Sequence, residues 1–132
     1  MTLIETFNPP IRRRPVRRRP VLSPERQLCR LLEAVVAEAF AVPPDALRAR
    51  SRSRADIAFA RQAAMYLAHV ACGLSYSAIG CGFRRDRTTA AHACRLMEER
   101  RDNPAVDCLL HSLEIVCAEL ARTLRAPAEL RP

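Results

Sequence analysis

Residues Arg61–Arg95 read RQAAMYLAHVACGLSYSAIGCGFRRDRTTAAHACR. A helical pattern runs up to Gly73, a residue suited to ending a helix. A short apolar segment around Ile79 follows, with Tyr76 to about Cys81 as its helix. A tight turn then leads to a helix that opens Asp86-Arg87-Thr88-Thr89 and runs to about Arg101. Two short helices joined by a tight turn are the layout of a helix-turn-helix, in which the second helix offers its first turn to the major groove. Asp, Arg and Thr bear the groups that hydrogen-bond base edges or phosphates. Ile79, Ala90, Ala93, Cys94 and Met97 fall on the inward faces, and Gly80 permits close packing.

Outward from this stretch the chain reads as helices throughout. Ser23-Pro24 is a helix start, with Ser as N-cap and Pro in the first position. Leu28, Leu31, Leu32, Val35, Val36 and Ala39 recur at three and four, ending near Phe40. Pro44–Arg48 is a short helix. A basic loop, Arg48-Ala-Arg-Ser-Arg-Ser-Arg54, precedes a long helix over about 56–72, for which Asp56 is a candidate cap. Ile57, Ala60, Ala64, Leu67, Ala68 and Ala71 form its apolar stripe, and Met65 and Tyr66 are core or edge packing. Asn103-Pro104 breaks the recognition helix. A last helix, roughly Pro104 to Leu124, carries Val106, Leu109, Leu110, Leu113, Val116, Cys117, Leu120 and Leu124 as a core-closing stripe. The expectation is an all-α, compact helical bundle containing a helix-turn-helix over 25–125. Residues 1–24 form an Arg/Pro-rich disordered arm, and 126–132 a tail.

Charge is distributed unevenly. Of 132 residues with net charge +8, residues 1–61 hold 13 Arg against 6 acids, whereas 103–132 hold 3 against 4. No Lys occurs. A basic half beside a near-neutral end suits a polyanion on one side. The arm contains two Arg triplets, Arg12–Arg14 and Arg17–Arg19, spaced by Pro. Such arms follow phosphates or enter a narrow minor groove, and the plain alternative is a solubilising tail.

These residues resemble a known family. The order Ala60-Arg61-Gln62, Ala64-Met65-Tyr66-Leu67, Ser75, Ile79-Gly80, Phe83, Arg85-Asp86, Thr88-Thr89, His92-Ala93 is similar to the C-terminal DNA-binding domain of the bacterial replication initiator DnaA, over about residues 26–125. That resemblance implies a domain with the Trp-repressor-like DnaA architecture, and double-stranded DNA as partner. By position it assigns Asp86, Arg87 and Thr88 to base edges. Arg61 goes to phosphate, and Arg52 or Arg54, beside Arg50, to the minor groove. Ser75 or Ser77 is a phosphate contact, although Ser75 is also a natural helix cap. Arg84, Arg85, Thr89 and His92 complete the interface, with a buried His92 as the bland alternative. Three departures stand out. Arg87 replaces His, Ser77 replaces Pro, and Ala90 replaces Val. The turn is one residue shorter than the family's Gly-Gly and carries Arg84. Arg87 can bind guanine O6 and N7 bidentately or grip phosphate only.

Several classes are disfavoured. There is no G-x-x-x-x-G-K-[ST] loop, so neither ATP turnover nor nucleotide binding is expected. No Ser/His/Asp or Cys/His arrangement suggests an enzyme. The six Cys form no C-x-x-C pair, and Cys94, Cys108, His92 and His111 match no zinc spacing. No cofactor or metal is expected. No apolar run reaches spanning length, and no signal peptide is visible, which implies a cytoplasmic, nucleoid-associated protein. The expected role is regulation of replication or transcription at initiator-type boxes, as a monomer on DNA, with other replication or regulatory proteins as further partners. The rival is an RNA- or polyanion-binding or protein-interaction module that keeps the fold without base reading.

Overall fold

The computed structural model describes residues 22–49 and 54–126. Six helices follow in order: α1 (Pro24–Ala39), α2 (Pro44–Arg48), α3 (Ala55–Val70), α4 (Tyr76–Phe83), α5 (Arg87–Arg100) and α6 (Pro104–Arg125). Among the described residues there is no strand. The bundle is all-α, with α4 and α5 as the helix-turn-helix.

Local chemistry sets the helix starts. Ser23 accepts from the Arg26 N–H, Ser75 from the Ala78 N–H, and Asn103 from the Ala105 N–H. Each supplies an acceptor to an amide the helix leaves orphaned. Pro occupies the opening turn of α1, α2 and α6, where its missing N–H costs nothing. Asp56 is not the cap of α3. Arg54 holds that position without a side-chain cap bond, and Asp56, one residue into the helix, accepts from the Ile57 N–H at 2.9 Å.

The helix ends are less conventional. Both α1 and α4 close with a residue in the left-handed region, Ala41 (φ 54°) and Arg84 (φ 55°). In each case the following amide reaches back five residues, Val42 to Ala37 O and Arg85 to Gly80 O. Gly usually fills that position because a Cβ is unfavourable there. After α3, Gly73 does fill it.

The long helix α3 is the hub, packed by α1, α2, α4, α5 and α6. Its centre is buried on all sides: Ala60, Ala63, Ala64, Met65, Tyr66, Leu67 and Ala68. A single stripe was expected, and the all-round burial follows from the helix lying inside the bundle. Ile57 and Ala71 are only half-buried. Small Ala side chains let neighbouring backbones approach, while Leu32, Leu47, Ile79, Met97 and Leu110 fill the gaps. Each such large side chain contributes about 1.5–3 kcal/mol on burial.

Two expected stripes are narrower than their sequence suggests. On α6, Leu110, Leu113, Cys117 and Ala121 face the core, but Leu109 and Val116 are exposed. On α1, Leu31 and Ala39 face solvent. In both cases the neighbouring helices, α1 and α3 beside α6 and α2, α3, α4 and α6 around α1, leave one side of the helix to solvent.

The candidate DNA interface

The turn between α4 and α5 is built by close backbone approach. A Cβ on Gly80 would lie 2.6 Å from Arg85 O and 3.1 Å from Arg87 N. Only Gly fits, and α5 is thereby set tightly against α4. On the inner side of α5, Ala90, Ala93, Cys94 and Met97 are buried. The outer side of its first turn therefore carries Arg87, Thr88 and Thr89, all exposed. Asp86 is the N-cap residue, yet its side chain makes no cap bond. Its carboxylate thus remains an exposed acceptor, rather than closing its own helix. His92 is exposed one turn further on, which excludes the buried histidine reading.

Two cavities lie along this surface. One, of about 120 Å³, is lined by Ala58, Arg61, Gln62, Met65, Arg85, Thr89, His92 and Ala93. The other, of about 560 Å³, is lined by Gly80, Cys81, Arg84, Arg85, Asp86 and Thr89. Arg85 and Thr89 belong to both. The structure thus brings together Arg61, Arg84, Arg85, Asp86, Thr89 and His92. Ser75 and Ser77 are exposed at the start of α4 and line neither cavity. Arg54 is exposed at the start of α3, 3.5 Å from Asp56 Oδ2. An exposed pair of this kind is worth about 0–1 kcal/mol, so it yields readily to a phosphate. Arg50 and Arg52, like residues 1–21 of the Arg/Pro arm, lie outside the described residues, and Pro24 at the arm's end is the first residue of α1.

Arg61 is more heavily engaged than a simple phosphate grip. Its guanidinium donates to Ala46 O, Leu47 O and Ala49 O at 3.0, 2.9 and 3.2 Å. Arg85 donates to the same Ala49 O at 2.6 Å. Together they close the carbonyl end of α2, where cations are favoured, and fix the point from which the basic loop departs. Burial, with the charge of Arg85 nearby, lowers the pKa of Arg61 from its ordinary value. Two like charges around one carbonyl make this an electropositive spot.

Gln62 is not among the site residues the sequence predicts, although it stands in the Arg-Gln pair shared with the family. It lines the smaller cavity, and its Oε1 is buried without a hydrogen-bond partner among the described residues. A buried unsatisfied acceptor costs about 1–3 kcal/mol, a cost that a ligand donor would relieve.

A sequence profile for the bacterial DnaA protein helix-turn-helix matches residues 29–96. The chain belongs to the DnaA helix-turn-helix family. It is 40% identical over 68 residues to chromosomal replication initiator protein DnaA 2 of Chlamydia pneumoniae, covering 52% of this chain and 15% of that one. To the DnaA of Chromobacterium violaceum it is 40% identical over 75 residues, covering 56% of this chain and 16% of the other. The chain thus spans under a fifth of the length of these relatives. Among solved structures, a DNA replication initiation factor superposes with a TM-score of 0.66 at 29% identity, over 74% of this chain and 30% of the other. A replication initiator DnaA bound to AMPPCP and single-stranded DNA gives 0.57 at 28% identity, over 76% and 30%. The DnaA-type helix-turn-helix is a DNA-binding domain of replication initiators, and here it supplies α4, α5 and the turn between them.

Among the described residues no group of three His, Cys, Asp or Glu is placed to hold a metal. No helix there is long and apolar enough to cross a membrane.

Proposed function

We propose that this DnaA-type domain binds duplex DNA sequence-specifically, with the first turn of α5 in the major groove. The observation that carries this reading is the free state of that turn. Asp86, Arg87, Thr88 and Thr89 are exposed, and their side chains make no hydrogen bond or ion pair among the described residues. Asp86 accepts from cytosine N4, Thr88 offers a hydroxyl and a methyl, and Arg87 takes guanine or the adjoining phosphate. Arg61, Arg84, Arg85, His92 and the hydroxyls of Ser75 and Ser77 hold the backbone. Arg50, Arg52 and Arg54 deliver the basic loop to the minor groove, and Thr89 flanks the reading residues.

On this reading the domain acts as a monomer at initiator-type boxes, regulating replication or transcription in the nucleoid. We assign it no ATP turnover of its own, because the sequence lacks both Lys and the phosphate-cradling loop.

Selection of duplexes from a random pool tests the proposal. The expected result is an enriched motif whose affinity falls steeply with salt through counterion release. Thr88→Ala should lower specific binding by about 1–3 kcal/mol while sparing non-specific binding. No enriched motif, or equal competition by structured RNA and heparin, leaves a polyanion-binding module instead.

A further inference from the structure

A third cavity, of about 270 Å³, opens where α1, the end of α2 and the end of α4 meet. It is lined by Arg30, Glu33, Arg48, Gly82, Phe83 and Arg84. Building on the duplex-binding reading, we infer that Arg30, Arg48 and Arg84 cradle a DNA backbone phosphate flanking the sequence that α5 reads.

The charges favour an anion. Three guanidinium groups against one carboxylate leave an excess of two positive charges in the lining. Glu33 does not repel the ligand, because it is 1% exposed and bonded to Arg48 Nε at 2.6 Å. A buried carboxylate is costly without a cationic partner, so this pair is a fixed part of the fold. It holds Arg48 by one nitrogen and leaves both terminal amino groups without a bond among the described residues. The side chains of Arg30 and Arg84 make no hydrogen bond or ion pair there either.

Backbone strain points the same way. Arg84 sits at φ 55°, ψ 46°, a left-handed conformation in which the Cβ of a non-glycine residue crowds the following carbonyl oxygen. Strain of this kind concentrates at functional positions, and here it puts a guanidinium where Gly would put nothing. Arg84 also lines the cavity below the first turn of α5. The two cavities therefore share Arg84, which stands between the first turn of α5 and the α1 side of the fold. This shared residue selects a phosphodiester of the bound duplex over an isolated anion. The void holds far more than a single water, which occupies about 30 Å³.

The test compares the full chain and its Arg30→Gln variant on two duplexes. One carries the selected motif in long flanks. The other is trimmed until the affinity of the parent just begins to fall. The Arg30 side chain has no hydrogen-bond or ion-pair partner among the described residues to lose, so the variant should melt with the parent. On the long duplex it should bind several-fold more weakly, with the salt slope reduced by about one and base preference unchanged. On the trimmed duplex it should match the parent, and Arg30→Lys should recover most of the loss. An unchanged slope on the long duplex, or an equal loss on the trimmed one, overturns the cradle. So does saturation of the arginine side-chain resonances of DNA-free protein by submillimolar inorganic phosphate, which would mark a free-anion site. A parent chain with no motif preference sinks the duplex-binding reading instead, so the two failures are distinct.

Discussion

The two ends of α5 use the same residue types in opposite ways. At its start, Asp86, Arg87, Thr88 and Thr89 are exposed, and their side chains make no hydrogen bond or ion pair among the described residues. At its end, Glu98 accepts from Tyr66 Oη at 2.7 Å, and Arg101 donates to Tyr66 Oη at 3.0 Å. Arg101 also reaches Asp107, at 2.6 Å, and Glu114. That knot ties α3, α5 and α6 together. One end is a joint with its polar groups satisfied, and the other is a surface with them held in reserve. Charge alone does not distinguish the two. What does is whether a partner arrives from elsewhere in the fold.

The largest expected effect tests how rigidly the open end is held. Gly80→Ala would drive a Cβ into the backbone at Arg85, Asp86 and Arg87. Backbone cannot swing aside as a side chain can. The expected loss is about 3 kcal/mol in urea unfolding, at the upper end for overpacking, together with loss of duplex binding. A variant of parental stability and affinity would show that the turn is looser than its geometry.

Next comes the closed end. Arg101→Met removes a shared partner from Asp107, Glu114 and Tyr66. Stripping one partner from a buried pair costs 3–5 kcal/mol, and partial exposure of both carboxylates lowers the figure here to about 2 kcal/mol. Duplex affinity should not change at temperatures where the variant is folded. A selective loss of DNA binding would erase the distinction between the two ends.

The fold was largely legible from local patterns. Ser23-Pro24 marked α1, Pro44–Arg48 is α2 as read, and Ala90, Ala93, Cys94 and Met97 implied which side of α5 faces out. What escaped was tertiary. The carbonyls that engage Arg61 lie 12 to 15 residues earlier, and no spacing rule connects them. The all-round burial of α3 depends on how many helices surround it. Leu109 and Val116 fit the period of α6, but their exposure depends on which side of α6 meets α1 and α3. The proposed base-reading residues were read from the recognition turn, whereas Gln62 needed its buried Oε1 to become visible.

Alkaline unfolding sharpens the contrast further. Burial first, then the bond to Glu98, pushes Tyr66 up to about 12, against about 10 in an unfolded chain. Burial likewise raises Cys29 and Cys117 to about 12 and Cys94 to about 11. Each raised pKa means the folded state keeps a proton that the unfolded state releases. The associated stability is therefore complete below the unfolded pKa and lost as pH rises through the folded one. Stability should fall from about pH 9 as unfolded thiols ionise, and more steeply above about pH 10 as tyrosine joins, by up to ~1.4 kcal/mol per pH unit for each group. Tyr66→Phe should remove only the portion above about pH 10. A curve unaltered by that change would mean the phenol is not held by the knot.

The smallest effect lies at the open end, and its sign is the test. Arg84→Gly relieves the left-handed strain of about 1–2 kcal/mol. It also adds backbone freedom to the unfolded chain, which returns about 0.5–1 kcal/mol. The net expectation is a gain of about 0.5–1 kcal/mol in urea unfolding. If Arg84 also holds a phosphate, the same variant should bind duplex DNA more weakly and with a shallower salt dependence. A more stable protein with a weaker grip is what a strained residue kept for its side chain must give. Were Arg84→Gly more stable and equally tight on DNA, the strain would have no function at this turn, and the open end of α5 would begin at Asp86.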